Sequence, residues 1–280
     1  MQIQRIAAFS DGSRGGNPAG VVLSPTLPDA PVMQALAAEI GYSETAFAAP
    51  EGEGWRVRYF APAMEVPFCG HATIALGAAL ALRHGEGRYS LRLNAGSITV
   101  EGWREAGGLR AALQSPPTRS SAAAPELAAA ASALFDFGAD ALDPRIPPAI
   151  AEAGAHHLIL ALRDRETLRA MRYDLAAGRA LMEASGLVTI ALVHAASPGL
   201  FHARNAFAIG GVAEDPATGA AAAALGGYLR DIGWPHGGAI TIHQGDEMGM
   251  PSRLHAAIPA VPGKSIRVSG QARIMAPEEG

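Results

Sequence analysis

The chain has 280 residues, of which 49% are hydrophobic and 17% are charged, and its formal net charge is −4. The 22 basic and 26 acidic residues leave no excess of positive charge of the kind that binds nucleic acid or an anionic membrane. The single cysteine, Cys69, excludes an internal disulfide and a zinc-finger-type site.

Neither a membrane segment nor a secretory signal is predicted. No apolar run reaches the ~18 residues that a transmembrane helix needs. The first residues, MQIQRIAAFSDG, have neither the basic start nor the apolar run of a signal peptide. We therefore expect a cytoplasmic protein that contacts neither membranes nor nucleic acids.

Short strands and helices follow one another along the first half of the chain. Residues 3–9 and 19–23 have strand-like patterns. Residues 31–40 have helical spacing, and Gly41 is typical of a helix end. Residues 72–82 predict an Ala-rich helix that is buried in the core.

A second set of elements follows a candidate linker at 114–125, which is rich in Pro, Ser and Ala and has no periodicity. The pattern predicts a helix over 126–135 and strands over 157–162 and 187–194. We expect an N-terminal lobe over residues 1–115 and a C-terminal lobe over 116–280. The last strand is expected either to stay in the second lobe or to return to the first.

The two halves carry a similar pattern. Each has an extended run led by an arginine, Arg58 or Arg204, then a turn with Pro and Gly, then an Ala-rich helix. The two arginines are 146 residues apart, about half the chain length. Because helix N-termini present unpaired N–H groups and partial positive charge, two such starts predict an anion-binding pocket.

Four side chains near the predicted helix starts are candidates for chemistry, and each has an ordinary structural alternative. Glu44 can move protons from a loop, or it is a surface residue at a strand start. His71 can donate and accept protons near neutral pH, or it closes the helix start. Asp215 before Pro216 is typical of an N-cap that opens a helix. Cys69 is more simply a small buried residue than a nucleophile.

Five segments, taken together and in this order, resemble the signature segments of the PhzF family of phenazine-biosynthesis-like isomerases. The resemblance extends from about residue 5 to about residue 275. The segments FCGHAT and EDPATG together are specific for the family, although each alone is a weak signal. The segments are GNPAGV at 16–21, SETAF at 43–47, FAP at 60–62, FCGHAT at 68–73 and EDPATG at 214–219.

This resemblance implies the diaminopimelate-epimerase-like α+β fold. In that fold two pseudo-symmetric lobes, each a curved, mostly antiparallel sheet around a central helix, flank the active site. It also implies a homodimer that needs no cofactor. No metal site is predicted, because His156 and His157 have no acidic or Cys partner at metal-ligand spacing in the sequence. By correspondence with the family, Glu44 is the general acid/base, and His71 and Asp215 assist it. The substrate-binding positions implied in the same way are Asn17, Gly70, Ala72, Gly219 and Ala220.

The expected activity is a proton shift on a small cyclic or unsaturated carboxylic acid. An epimerase or racemase of a small amino or hydroxy acid, and a non-catalytic small-acid binder, are the alternatives. A racemase with two thiols is excluded, because the position that matches Cys69 in the second half is Pro216. Ala220 stands where relatives often have Ser, so one contact to the substrate from a hydroxyl group is missing and the resemblance does not fix the identity of the substrate.

Overall fold

The computed structural model describes residues 2–94, 96–138 and 140–276. It divides into two compact units. Unit 1 comprises Met1–Gln114 and Ser269–Gly280, and unit 2 comprises Ser115–Val268. No helix in the described part of the chain has the length and apolarity needed to cross a bilayer.

Unit 1 contains two helices and a ring of strands. Its helices are α1 (Ala30–Ile40) and α2 (Gly70–His84). Its strands are β1 (Ile3–Ser10), β2 (Asn17–Leu23), β3 (Thr45–Glu51), β4 (Gly54–Phe60), β5 (Glu65–Val66), β6 (Gly87–Arg92), β7 (Ser97–Glu105) and β8 (Gly108–Gln114). The strand that closes the chain, numbered β17, is Arg267–Ile274.

The strands of unit 1 pair into a closed ring. Successive neighbours are β1, β2, β3, β4, β6, β7, β8 and β17, and β17 pairs back onto β1. Most of these pairs are antiparallel, while β2–β3 and β4–β6 are parallel. Closure removes the free edges that an open sheet would expose.

Helix α2 is the centre of this ring. All of its residues from His71 to Ala81 are buried, and it packs against β1, β2, β3, β7 and β8. A helix that is apolar on every side must be enclosed on every side. The prediction of a buried Ala-rich core helix is therefore confirmed.

Glycines allow the helix and the ring to approach closely. A Cβ atom on Gly102 of β7 would lie 2.2 Å from the carbonyl oxygen of Gly77 in α2 and 2.8 Å from the Cβ of Ala81. The backbone of α2 thus lies directly against β7, with no room for a side chain between them.

We expect Gly102→Ala to lower the free energy of unfolding by about 1–3 kcal/mol, because the added methyl group displaces backbone rather than a flexible side chain. Chemical denaturation measures the effect. Gly87→Ala is the matched control, since Gly87 is the register partner of Gly102 and has open space at its Cβ. Equal effects of the two substitutions would contradict the close approach.

Unit 2 surrounds its own central helix with strands. The helices are α3 (Pro125–Leu134), α4 (Arg165–Arg169), α5 (Leu175–Ser185) and α6 (Gly219–Asp231). The strands are β9 (Arg119–Ala122), β10 (Ala149–Glu152), β11 (His156–Ala161), β12 (Thr189–Ser197), β13 (Leu200–Ala206), β14 (Glu214–Asp215), β15 (Ala239–Gln244) and β16 (Ser252–Ala257). Helix α6 is buried over most of its length and packs against β9, β10, β15 and β16.

The irregular linker predicted at 114–125 is wrong in part. Residues Arg119–Ala122 form β9, which pairs antiparallel with β10. The four residues of β9 do not alternate between apolar and polar side chains, so the sequence carries no strand pattern there. The pairing comes from β10, a tertiary partner that lies far away in the sequence.

His157 is fully buried in β11 of unit 2. Its Nδ1 lies 2.8 Å from the hydroxyl of Thr189, and burial lowers the pKa of His157 from 6.5 to about 4. The folded state therefore holds the ring uncharged, while the unfolded chain takes up a proton as the pH falls below 6.5.

We expect this histidine to cost about 2 kcal/mol of stability between pH 7 and pH 4.5, from about 1.4 kcal/mol per pKa unit. The loss begins below the unfolded pKa and is complete near the folded one. His157→Asn should flatten the pH dependence of the denaturation midpoint by that amount. The exposed His84→Asn serves as control, and an unchanged slope in His157→Asn would refute the assignment.

Candidate functional site

Glu44 lies in the turn between α1 and β3. Gly41 ends α1 in the left-handed conformation, with φ of 76°, and the chain then turns into the sheet. The N–H of Gly20 donates to the carbonyl oxygen of Glu44 at 3.2 Å, which fixes the backbone of the turn to β2. The Glu44 side chain is 17% exposed, so it is screened from solvent without being sealed from it.

His71 brings the polar groups of this region together. Its Nε2 lies 3.4 Å from Oε2 of Glu44 and 3.3 Å from Oγ of Ser43, and its Nδ1 lies 3.4 Å from Sγ of Cys69. The Nε2–Ser43 and Nδ1–Cys69 contacts are within hydrogen-bond distance, whereas the Nε2–Glu44 contact is an ion-pair distance.

The start of α2 adds backbone donors to the same region. The helix begins at Gly70, and its N-cap residue, Cys69, makes no side-chain capping bond. The carbonyl oxygen of Cys69 instead accepts from both the N–H and the hydroxyl of Thr73. The N–H groups of Gly70, His71 and Ala72 stand in the first turn, where no intrahelical carbonyl precedes them.

Asn17 is also in unit 1. It is the first residue of β2, it is 3% exposed, and it pairs with Ala8 of β1. Strands β2 and β3 run parallel, with Gly20 opposite Thr45, so Asn17 lies at the end of this ladder from which Glu44 enters β3. Unit 1 thus holds Asn17, Glu44 and the start of α2.

Asp215 belongs to unit 2, and the prediction that it caps the second helix is wrong. Helix α6 begins three residues later, at Gly219, with Thr218 as its N-cap. Asp215 instead sits in the two-residue strand β14, opposite Asn205 of β13. Its Oδ2 accepts from the Thr218 hydroxyl at 2.5 Å. Strand pairing holds Asp215 in an extended conformation that precedes the cap.

Gln244 holds the turn that leads from Asp215 into α6. Its Nε2 donates to the Asp215 carbonyl oxygen at 2.7 Å, and its Oε1 accepts from the Thr218 N–H at 3.3 Å. Gln244 is 1% exposed. Sequence analysis missed this residue, because nothing in the strand 239–244 signals a contact with residues that lie 26 positions away. Gly219 and Ala220 follow in the first turn of α6.

A matching ion pair precedes each of the two central helices. Arg58 of β4 forms a two-bond pair with Glu65 of β5, at 2.7 and 2.6 Å. Arg204 of β13 pairs with Glu214 of β14, with Nε 3.0 Å from Oε1. The two arginines were noted from the sequence repeat, but their glutamate partners were not. Each pair fixes the short strand that leads into the helix start.

The two pairs differ in burial. Arg58 lowers the pKa of the Glu65 carboxyl through their hydrogen bond, but the Glu65 side chain keeps 27% of its surface exposed. The Glu214 side chain keeps only 5%. Arg204 also donates to the carbonyl oxygens of Arg169 and Met171.

We expect Arg204→Met to destabilise the protein by about 3–5 kcal/mol, since it leaves the Glu214 carboxylate buried without its cation. The matched change Arg58→Met should cost about 1 kcal/mol or less, because water solvates Glu65. Urea denaturation of both variants gives the comparison. Similar losses of unfolding free energy in the two variants would show that the difference in burial does not change how much each ion pair stabilises the protein.

Three kinds of potential metal ligand meet in unit 1. The ligand-type atoms of Glu44, Cys69 and His71 lie within 4.8 Å of one another. A carboxylate, an imidazole and a thiol are also groups that can take up or release a proton.

A family model described as phenazine biosynthesis-like protein, PhzC-PhzF, matches residues 6–277. The chain belongs to the PhzC-PhzF family. Among its relatives is the uncharacterized isomerase YddE of Salmonella typhimurium, which is 32% identical over 288 residues, covering 98% of this chain and 96% of the relative. The predicted membership in a PhzF-like isomerase family is confirmed by this match.

Solved structures agree on the fold. A PhzF-family phenazine biosynthesis protein of Bacillus anthracis superposes with a TM-score of 0.84 at 22% identity, covering 99% of this chain and 98% of that one. A probable proline racemase of Agrobacterium radiobacter superposes with a TM-score of 0.63 at 11% identity, covering 98% and 91%. The predicted diaminopimelate-epimerase-like α+β fold is confirmed.

Proposed function

We propose that this member of the PhzC-PhzF family is a cofactor-independent isomerase. Its reaction is a proton shift on a small cyclic or unsaturated carboxylic acid, with Glu44 as the general acid/base. The observation that carries the proposal is the placement of the Glu44 carboxylate 3.4 Å from Nε2 of His71, beside the start of α2.

The chemistry follows from the order of these groups. The Glu44 carboxylate removes a proton from a carbon of the substrate, and electrons move into the adjacent unsaturated system. The protonated carboxyl then returns the proton to another carbon on the same face. Nε2 of His71 lies 3.4 Å from the carboxylate and donates to it once a substrate is bound, because catalytic hydrogen bonds often shorten in the complex.

The first turn of α2 supplies the complementary charge. The N–H groups of Gly70, His71 and Ala72 and the positive end of the helix dipole favour a substrate carboxylate there. Negative charge that builds up on the substrate during proton removal is stabilised by the same donors. A carboxylic acid is therefore the substrate class that suits this end of the helix.

The second unit carries a related group of residues: Asp215 beside Thr218, followed by the first-turn amides of Gly219 and Ala220. That this group serves the same active site as Glu44 stays a prediction from the family resemblance. The homodimeric state and the cytoplasmic location stay predictions as well.

The proposal is tested by proton exchange in D₂O against a panel of small aromatic and cyclohexadiene carboxylates, followed by ¹H NMR. For a substrate found in this way, Glu44→Gln should slow exchange by about 10²–10⁴-fold, because the amide cannot take up the proton. Ligand-induced thermal stabilisation should persist, since the helix amides are unchanged. Glu39→Gln, on the exposed face of α1, is the control.

Three results would redirect the assignment. Exchange that survives Glu44→Gln would remove Glu44 from the role of base. Deuterium delivered to the opposite face of the same carbon would indicate an epimerase, which uses a second acid such as His71. Binding without any exchange in the wild-type protein would indicate a small-acid binder.

A further inference from the structure

A row of histidines crosses the sheet of unit 2. In register, His194 of β12 faces His202 of β13, and His202 faces His243 of β15. Side chains in register on neighbouring strands share one face of a sheet. The His194 and His202 rings stack with centroids 6.5 Å apart, and those of His202 and His243 meet edge to face at 5.3 Å.

A carboxylate joins this row from the turn after β15. The ligand-type atoms of His202, His243 and Asp246 lie within 4.8 Å of one another. Two imidazoles and one carboxylate form a donor set that suits Zn²⁺ and related ions. In a tetrahedral site with metal–ligand bonds of ~2.0–2.1 Å, ligand atoms are ~3.3 Å apart, so modest side-chain rotations complete the geometry.

A second observation points to a missing ligand. Nδ1 of His202 is buried and has no hydrogen-bond partner in the described part of the chain. Buried polar atoms are almost always paired, so an unpaired ring nitrogen on a residue of this cluster calls for a partner. A metal ion coordinated at this position would supply it.

Charges around the cluster are balanced. Arg253 donates to Oδ1 of Asp246 at 2.9 Å, and Arg165 is paired with Glu247. Arg169 also lies 3.8 Å from Glu247 and pairs with Glu166. Three guanidinium groups therefore face three carboxylates, and the charges around the cluster cancel. His194 donates from Nδ1 to the carbonyl oxygen of Leu162 at 3.1 Å, which fixes the tautomer of its own ring.

We propose that His202, His243 and Asp246 form a binding site for one divalent transition-metal ion of the Zn²⁺ class. The ion would join β13, β15 and the turn that begins with Asp246. His243 precedes Gln244, whose side chain points to the other face of β15 and holds the turn before α6. The site is thus structural, and it stiffens the strand that positions Asp215 and Thr218. It is independent of the isomerase proposal.

The test is titration of the tag-free, metal-stripped protein with Co²⁺ and with Zn²⁺, by calorimetry and by visible absorption of bound Co²⁺. We expect one ion per chain. His202→Asn and Asp246→Asn should each weaken binding by at least about tenfold, the smallest loss usual for a group in a metal site. His255→Asn is the control, because His255 lies on β16 and contacts Thr241.

A second readout does not depend on activity. Excess Zn²⁺ should raise the unfolding temperature of the wild-type protein and of His255→Asn, since a ligand of the native state stabilises it, and should leave His202→Asn unmoved. Circular dichroism verifies that the variants are folded. Absence of stoichiometric binding, or binding that is equal in wild type, His202→Asn and Asp246→Asn, would overturn the proposal.

Discussion

The enclosure of an Ala-rich helix by strands is the constraint on which the rest of each unit depends. Helix α2 is buried from His71 to Ala81. Its backbone is therefore accessible to other groups only at the ends of the helix. The small side chains let the strands approach closely, as Gly102 does against Gly77. A helix start fixed in this way presents its backbone amides at a constant position.

Ion pairs deliver the chain to these helix starts. Arg58–Glu65 and Arg204–Glu214 tie a two-residue strand to the strand before it, so the turn that follows has little freedom. In unit 2, Gln244 adds a side-chain clamp between the Asp215 carbonyl and the Thr218 N–H. Polar contacts outside the helix starts, fully buried in unit 2 and partly exposed in unit 1, thus fix the turns that lead into α2 and α6.

The local sequence pattern was sufficient to predict some features of the fold, whereas others depend on residues far apart in the chain. The burial of α2 and the end of α1 at Gly41 follow from composition and from one left-handed glycine, both readable within a few residues. Strand β9 and the cap at Thr218 depend on partners far along the chain, namely β10 and Gln244. Likewise, the contact between Glu44 and His71 spans 27 residues, and the family resemblance, rather than spacing, indicated it.

The single cysteine of the chain, Cys69, gives this protein a natural reporter of local motion. Its side chain is buried at the N-cap of α2, with the sulfur 3.4 Å from Nδ1 of His71. A thiol reagent reaches it only when the first turn of the helix opens, so the rate of alkylation follows the frequency of that opening. Since no other thiol competes, ligands that bind at the helix start can be detected as protection of this one sulfur, without knowledge of the reaction they undergo.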